Sequence, residues 1–331
     1  MDKHKTRGRR AAVMGVLGCS AALAGINAAT GARAADKPSI GIAVADQKSL
    51  FYVAAVDGMK DAAAKAGYDL KIASASNNSS LQIKQVQDLL VQNVGALVFI
   101  SQDSTAAAAG VKAANKADVP VIAVDERPEA GSGKLVTYIA TDSVAAARDL
   151  CTWEFQRIGG KGNIAILRGV LGATAELQRS QGCKEALAKF PDIHVVAEQS
   201  ANWDETEAYK ATQNILTANP DLKAIFGESD AMALGAAKAA KQAGRNGLVF
   251  VGIDGFPTMF PAIKSELVQA SMAQNPYKMG QMAVEDAIEV MKGGGKDIPA
   301  VQYMPTTLLT KDSVDANNPA DFYGPAAKNM Q

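Results

Sequence analysis

Short runs of apolar, largely β-branched residues alternate along this chain with longer amphipathic stretches. Four runs predict strands in the first half, at residues 40–45, 70–73, 96–100 and 121–124. The stretches between them place apolar residues on one helical face: Phe51, Ala55, Met59, Ala62 and Ala66 in the first, and Ile83, Val86 and Leu90 in the second. This alternation is typical of βαβ units around parallel sheets, so we predict an α/β fold.

The same pattern begins again after Asp142. Strands are predicted at residues 164–167, 195–197, 224–226 and 249–253. One strand in each half ends in an aspartate, Asp125 in the first and Asp254 in the second. Ligands of open parallel sheets bind beyond the carboxyl ends of the strands, so we expect both aspartates to face a crevice, one from each half.

The segments that follow are too few for a third domain. We predict a strand at 271–274, a helix at 276–291 and a strand near 306–309, which complete the two sheets. From Asp312 onward, Asn318-Pro319 and Gly324-Pro325 predict an irregular tail on the surface.

The N-terminus has the order of a secretory signal peptide. Basic residues between Lys3 and Arg10 precede an alanine-rich apolar run at 11–24, and Ala32-Arg33-Ala34 offers a cleavage site. The run is too short to span a bilayer, which takes about 20 apolar residues. We therefore expect residues 1–34 to be removed and the mature chain to be periplasmic. Arg9-Arg10 leaves twin-arginine export open, and Cys19 leaves lipoprotein processing open.

Charge and length narrow the function classes. The full chain carries 34 basic and 34 acidic residues, and the predicted leader contains six of the basic and one of the acidic residues. The mature chain therefore has 28 basic and 33 acidic residues, a net charge of −5. Such a chain has no electrostatic reason to bind nucleic acid. About 300 mature residues favour two domains.

Catalytic chemistry finds no support in the sequence. The histidines are His4, in the leader, and His194, at the start of a strand, which excludes a cluster of histidine ligands. No glycine-rich phosphate loop joins a predicted strand to a helix. We predict a binding protein rather than an enzyme, with no cofactor and no metal.

Several blocks of sequence resemble those of periplasmic sugar-binding proteins of the ribose-binding type. In chain order they are Phe51-Tyr52 followed by Asp57-Gly58, the strand ending at Asp125, and the blocks at 139–142, 230–236, 251–255 and 273–274. The resemblance covers essentially the whole mature chain. In combination and in order, these blocks are a specific signature, although each alone is weak.

The resemblance implies a type I periplasmic binding protein: two doubly wound parallel-sheet lobes that close over a sugar by hinge bending. Three crossing segments, near Thr141, Gln274 and Pro305, would join the lobes. The lobes would be discontinuous in sequence, with residues 35–140 and 275–304 in the N-terminal lobe and residues 141–274 and 305–331 in the C-terminal lobe.

The resemblance also implies that aromatic residues contact the ligand. Phe51 and Tyr52 match the family's aromatic pair at the start of the first helix, and Trp203 matches an aromatic residue of the second lobe. Aromatic planes can cover the C–H faces of a sugar ring and leave its hydroxyls free for polar partners. Trp203 lies in a predicted loop, where binding residues concentrate, whereas Trp153 lies in a helical pattern and is expected in the core.

Polar residues complete the expected site. Asp125, Asp254 and Gln274 match family positions that hydrogen-bond sugar hydroxyls, and an ionised carboxylate accepts two hydroxyl donors at once. The others that we expect to face the ligand are Thr141, Arg179 and Ser229. The family arginine could also fall at Leu177, so that assignment stays open.

Some nearby residues indicate other roles. Asp142 and Asp230 are expected to cap the helices that follow them. Departures from the polar pattern of ribose binders occur at Ala45, Ser49 and Glu228. These departures argue against ribose itself and leave the class intact.

Together, these residues predict a protein that captures a neutral sugar or polyol and delivers it to a membrane ABC permease. There are two alternatives. One is a sensor that presents the ligand to a chemoreceptor. The other is a sugar-responsive transcription regulator, which is disfavoured because a leader stands where such a regulator has its DNA-binding module.

Cys151 and Cys183 fall on the first two predicted helices of the second lobe, where a disulfide and two buried thiols are both compatible with the sequence.

Overall fold

Two six-stranded sheets organise the part of the chain that this computed structural model describes, residues 38–102 and 104–329. In spatial order, the first sheet consists of β11 (Val301–Met304), β5 (Thr137–Thr141), β4 (Val121–Val124), β3 (Ala96–Ile100), β1 (Ser39–Val44) and β2 (Asp69–Ser74). The second consists of β12 (Thr307–Thr310), β10 (Ala270–Ala273), β9 (Val249–Asp254), β8 (Leu222–Gly227), β6 (Lys161–Arg168) and β7 (Asp192–Ser200). Neighbouring strands run parallel, except that β12 lies antiparallel to β10.

Helices connect the strands. They are α1 (Leu50–Ala66), α2 (Ser79–Val91), α3 (Ser104–Lys116), α4 (Ser143–Arg157), α5 (Thr174–Leu187), α6 (Glu205–Ala218), α7 (Asp230–Gln242), α8 (Met259–Lys264), α9 (Pro276–Met291) and α10 (Pro319–Tyr323). Within the described residues, none of these helices combines the length and the apolar character that a bilayer crossing needs.

Both faces of each sheet are covered by helices. On the first sheet, Ile40, Ile42 and Val44 pack with α1 and α9, whereas Ala43 packs on the opposite face with α2 and α3. The second sheet lies in the same way between α4 with α5 and α6 with α7. A strand buried on both faces is a continuous apolar run in sequence, which is why most of the central strands could be predicted. The buried strand β5 was not predicted. The predicted α/β fold of two doubly wound, parallel-sheet lobes is confirmed.

The chain passes between the two sheets at three places. It leaves the first sheet after β5, returns to it after β10, and leaves it again between β11 and β12. At the first crossing, Asp142 caps α4, as predicted, because its carboxylate accepts a hydrogen bond from the Ala145 N–H at 3.0 Å. The first two crossing segments contact each other through a hydrogen bond between Thr141 and Gln274.

The tail after Asp312 corrects the prediction of an irregular surface segment. Phe322 and Tyr323 on α10 are buried and pack into the core of the second lobe. The pair Asn318-Pro319, which suggested a break, is a helix start: Asn318 forms a capping box with Asp321, and proline is favoured at the first helical position. Asparagine and proline are common both at helix starts and in turns, so these residues alone do not distinguish the two.

A second difference concerns β11, which was not predicted. This strand of four residues lies at the edge of the first sheet and none of its residues is fully buried. Its apolar pattern is therefore weak, and its place in the sheet comes from pairing with β5.

Cys151 on α4 and Cys183 on α5 are joined by a disulfide, with their Cα atoms 5.4 Å apart. The two helices approach closely at Gly182, where a Cβ atom would lie 2.2 Å from the Val144 carbonyl oxygen. A glycine at this crossing lets the helices come within disulfide distance. Of the two states that the sequence left open, the structure contains the disulfide.

Candidate functional site

A cavity of about 640 Å³ lies between the lobes, at the carboxyl ends of the parallel strands of both sheets. Eight of the nine predicted site residues line it: Phe51, Tyr52, Asp125, Arg179, Trp203, Ser229, Asp254 and Gln274. The ninth, Thr141, lies behind the lining. The structure thus brings together residues from every quarter of the described chain.

Asp125 contributes a carboxylate from the first lobe. It follows β4 with φ of 63°, a left-handed conformation that is rare outside glycine and turns the chain sharply away from the sheet. Tyr52 donates its hydroxyl to Asp125 Oδ2 at 3.2 Å, and Tyr138 donates to the Asp125 carbonyl oxygen at 2.6 Å. Burial raises the pKa of Asp125, while the charge of Arg179 and the Tyr52 hydrogen bond oppose that rise.

Asp254 contributes the matching carboxylate from the second lobe. It ends β9 with φ of 145° and is 7% exposed. Gln274 Nε2 donates to its Oδ1 at 2.8 Å, and Arg179 lies 3.5 Å from the same oxygen. Tyr323 on α10 donates its hydroxyl to the Asp254 carbonyl oxygen at 3.1 Å. Burial raises the pKa of Asp254 to about 6, a rise that Arg179 and Gln274 moderate.

Asp230 supports the Asp254 loop from behind, and the prediction that it caps α7 is wrong. Ser229 is the N-cap instead, since its hydroxyl accepts from the Met232 N–H. The Asp230 carboxylate accepts from Ser271 Oγ at 2.7 Å and from the Phe256 N–H at 2.8 Å. Burial, together with the nearby Asp254 charge, raises its pKa to about 8. Serine and aspartate are both preferred N-cap residues, so the sequence does not distinguish Ser229 from Asp230 as the cap of α7. The structure does, because the Asp230 carboxylate is bound to Ser271 on β10 instead.

Arg179 is the cation that faces both aspartates. It is 4% exposed, its Nη1 donates to the Glu228 carbonyl oxygen, and its guanidinium carbon lies 5.4 Å from the Trp203 ring centroid. Its buried Nε has no hydrogen-bond partner among the described residues. Leu177, the other candidate position for the arginine, is 56% exposed. Among these two positions, the structure places Arg179 in the cavity.

Glu228, one of the departures from the polar pattern of ribose binders, is fully buried next to the cavity. Its carboxylate accepts from the Gly169 N–H at 2.8 Å and from Ser180 Oγ at 2.7 Å. Because burial outweighs these hydrogen bonds, its pKa rises to about 7. Glu228 therefore positions the loop after β6 and, through its carbonyl oxygen, Arg179.

Aromatic rings form part of the cavity walls. Phe51 and Tyr52 begin α1 and pack edge to face, with ring centroids 5.7 Å apart. Trp203 packs against Gly169, where a Cβ atom would lie 2.0 Å from the indole. Gly169 is therefore required for the position of this ring. The adjacent Asn202 and Trp203 both have positive φ, at 51° and 63°, and strained backbone of this kind clusters at functional sites.

Thr141 and Gln274 connect two of the crossing segments. Thr141 Oγ1 donates to Gln274 Oε1 at 2.6 Å, and the Gln274 amide nitrogen is thereby turned toward Asp254. Thr141 acts behind the cavity wall, so the structure places it as a support for Gln274 rather than in the lining.

Comparison with known proteins agrees with this architecture. The family model for the periplasmic binding protein domain matches residues 40–296. The ribose import binding protein of Salmonella typhimurium is 36% identical over 243 residues, which cover 73% of this chain and 81% of that protein. The xylitol-binding protein of Mycolicibacterium smegmatis is 34% identical over 270 residues, 81% of this chain and 76% of that protein.

A solved structure shows the same fold. It is an ABC transporter periplasmic solute binding protein from Actinobacillus succinogenes with bound D-allose. It superposes with a TM-score of 0.81 and 30% sequence identity, covering 85% of this chain and all of that one. The predicted resemblance to ribose-binding-type proteins is confirmed, and the chain belongs to the periplasmic binding protein domain family.

Proposed function

We propose that this protein is the binding component of an ABC importer, which captures a neutral sugar or polyol between its lobes and releases it unchanged to a membrane permease. One observation carries the proposal: Asp125 and Asp254, from opposite lobes, line one cavity together with aromatic rings and Arg179, whose Nε has no hydrogen-bond partner in the described part of the chain. Carboxylates accept hydroxyl hydrogens, Arg179 donates to a ring or hydroxyl oxygen, and rings cover C–H faces.

The other acidic side chains that line the cavity are engaged by protein groups, which supports a neutral ligand: Glu126 is bound to Thr174, and three more have partners close by in the sequence or on a neighbouring helix. Asp46 accepts from the N–H groups of Lys48 and Ser49. Asp204 caps α6 through the Glu207 N–H, and Glu205 forms an ion pair with Lys238. These partners leave Asp125 and Asp254 as the acceptors for a ligand, in a cavity that Arg179 and Lys48 also line.

Capture by this geometry requires the lobes to move about the crossing segments. The proposed lobes are residues 35–140 with 275–304, and residues 141–274 with 305–331. The Thr141–Gln274 hydrogen bond at the crossing would keep the Asp254 carboxylate oriented while the lobes open. Closure would then bring Asp125 and Tyr52 onto a ligand already held by the second lobe.

Export to the periplasm is proposed from the family and from the leader. The predicted cleavage site at Ala34 lies outside the described residues. Mass spectrometry of periplasmic extract is expected to find a chain that begins near Ala35 or Asp36. A diacylated Cys19 at the N-terminus would instead mean a tethered protein.

Transport is favoured over sensing because the relatives above are named as import or ABC transporter binding proteins. A chemoreceptor would be an additional partner that recognises the same closed form. Pull-down with the permease and with receptor ectodomains, with and without sugar, separates the two partners.

Ligand screening tests the proposal. Calorimetry on the purified mature chain, against pentoses, hexoses, polyols and matched sugar acids, is expected to find a tight neutral ligand; ribose, xylitol and D-allose are the first probes. Trp203→Ala should weaken binding and remove most of the ligand-induced fluorescence change. Trp153→Phe is the control, because Trp153 packs on the core of the second lobe. Binding of sugar acids alone would overturn the neutral-ligand proposal.

A further inference from the structure

Helix α5 in the second lobe begins without a cap of its own. Its N-cap residue is Ala173, which makes no side-chain cap hydrogen bond. The first N–H groups of a helix have no partner within the helix, and alanine is a poor N-cap because it offers no acceptor. This helix also carries Arg179, so its position matters for the cavity.

The missing acceptor comes from the other lobe. Both carboxylate oxygens of Glu126 lie 3.1 Å from the Thr174 backbone nitrogen, and the Thr174 hydroxyl donates to Glu126 Oε1 at 2.6 Å. The same hydroxyl accepts from the Arg127 N–H at 3.4 Å. Glu126 is 7% exposed and Thr174 is half-buried, so this cross-lobe contact is only partly accessible to solvent.

We propose that Glu126 and Thr174 form a latch that holds the two lobes closed. This proposal depends on the proposed function in one respect: closure of the lobes must serve to retain a ligand. When the lobes separate, the Glu126 carboxylate leaves the start of α5 and the Thr174 N–H loses its acceptor. The latch therefore stabilises the closed form selectively, since it cannot exist in the open one.

The latch lies next to the ligand contacts on both sides of the cleft. Glu126 directly follows Asp125, and Thr174 begins the helix that carries Arg179. A ligand that draws Asp125 toward Arg179 therefore also brings Glu126 to Thr174. Ligand binding and latch formation should be coupled, and the latch should act mainly on the rate of release.

Glu126 also lines the cavity, so direct contact with the ligand is the competing explanation. Thr174 can distinguish the latch from direct ligand contact, because it is not among the residues that line the cavity. If Glu126 acts through Thr174, then Glu126→Gln and Thr174→Val should have similar effects that do not add in the double variant. If Glu126 binds the ligand, Thr174→Val should leave affinity unchanged.

The experiment combines titration calorimetry, stopped-flow fluorescence and small-angle scattering on wild type, both single variants and the double variant. Each single variant is expected to weaken the affinity for the best neutral sugar about tenfold, mostly through faster dissociation, and the double variant to match them within about threefold. Asn78→Ala is the control: it removes the cap of α2 within the first lobe, where Asn78 accepts from the Leu81 N–H at 2.9 Å, and should leave affinity unchanged.

Scattering distinguishes failure of the latch from failure of the proposed function. The variants should be more open than wild type both with and without sugar. A wild type that binds no neutral sugar, while Glu126→Gln still opens the lobes, contradicts the proposed function and supports the latch. Unchanged opening and release in Thr174→Val, or additive effects in the double variant, overturn the latch.

Discussion

Asp125 and Asp254 end equivalent strands in the two lobes, yet their carboxylates are held very differently. Among the described residues, the Asp125 carboxylate receives a side-chain hydrogen bond from Tyr52 at 3.2 Å, and its carbonyl oxygen receives the Tyr138 hydroxyl at 2.6 Å. The Asp254 carboxylate accepts a hydrogen bond from the Gln274 amide at 2.8 Å and lies 3.5 Å from Arg179. Asp230 and Tyr323 hold the backbone of the Asp254 loop through further hydrogen bonds. The same sequence pattern therefore produces a lightly held carboxylate in one lobe and a fixed one in the other.

This difference indicates that the two carboxylates contribute to ligand binding in different ways. A preorganised group contributes more to binding because little is lost when the ligand orders it. We expect the second lobe to hold most of the binding free energy for a sugar, and the first lobe to add to it on closure. The comparison can be tested by changing each aspartate and its supports separately.

The largest effect is expected for Asp254→Ala. Loss of two charge-assisted hydrogen bonds, at about 1.5–3 kcal/mol each, should weaken binding at least about a hundredfold. Calorimetry with the best ligand measures it, and a retained melting transition shows that the fold survives. Asp221→Ala is the control, because Asp221 accepts from Asn163 outside the cavity. Unchanged affinity in Asp254→Ala would mean that the cavity is not the binding site.

A smaller effect is expected for Asp125→Ala. Because this carboxylate is lightly held and contributes on closure, its loss should weaken binding about tenfold. The same titration measures it, with Asp57→Ala as control, since Asp57 pairs with Lys60 on the surface of α1. A loss equal to that of Asp254→Ala would remove the proposed asymmetry between the lobes.

Lowering the pH should weaken binding through Asp254. Its pKa is raised to about 6, and two hydroxyl donors require the ionised form, so affinity should fall about fourfold from about pH 7.5 to about pH 5.5. The effect of this group on folding has the opposite sign. Its raised pKa in the folded state favours folding at low pH, and that contribution is lost as the pH rises through about 6.

Calorimetry at several pH values checks the pH dependence, and Asp254→Asn should flatten it. Other titrating or charged groups near this carboxylate are Asp125, Asp230, Arg179 and Glu228. A transition centred near pH 7 that persists in Asp254→Asn would indicate Glu228, whose pKa is raised to about 7, and would contradict the assignment to Asp254.

The smallest effect is expected for Tyr323→Phe. This change removes the hydroxyl that donates to the Asp254 carbonyl oxygen and leaves the packed ring in place. It should reduce the free energy of unfolding by about 1 kcal/mol and weaken binding about threefold. Chemical denaturation and calorimetry measure the two effects. Tyr209→Phe, which removes an exposed hydroxyl bound to Gln242, should change neither; equal effects in both variants would show that Tyr323 does not support the site.

The sequence was enough to predict the fold class, the positions of most strands and most of the residues that line the cavity. Strands buried on both faces are continuous apolar runs, and parallel sheets gather their carboxyl ends at one edge, so Asp125 and Asp254 could be assigned to a shared crevice. The Asp142 cap could also be predicted, because capping is a local interaction between residues three positions apart in the sequence. The resemblance then supplied the aromatic residues and Gln274.

Tertiary structure alone decided which groups meet across long separations in the chain. Glu126 reaches Thr174, Glu228 reaches Gly169, and Asp230 pairs with Ser271, yet no periodicity connects these positions. The choice between Arg179 and Leu177 depended on which side of α5 faces the cavity. Burial of the α10 tail and pairing of the cysteines likewise depended on helix packing. Local pattern fixes the direction and burial of an element, whereas contacts between elements follow from the relative positions of the packed layers.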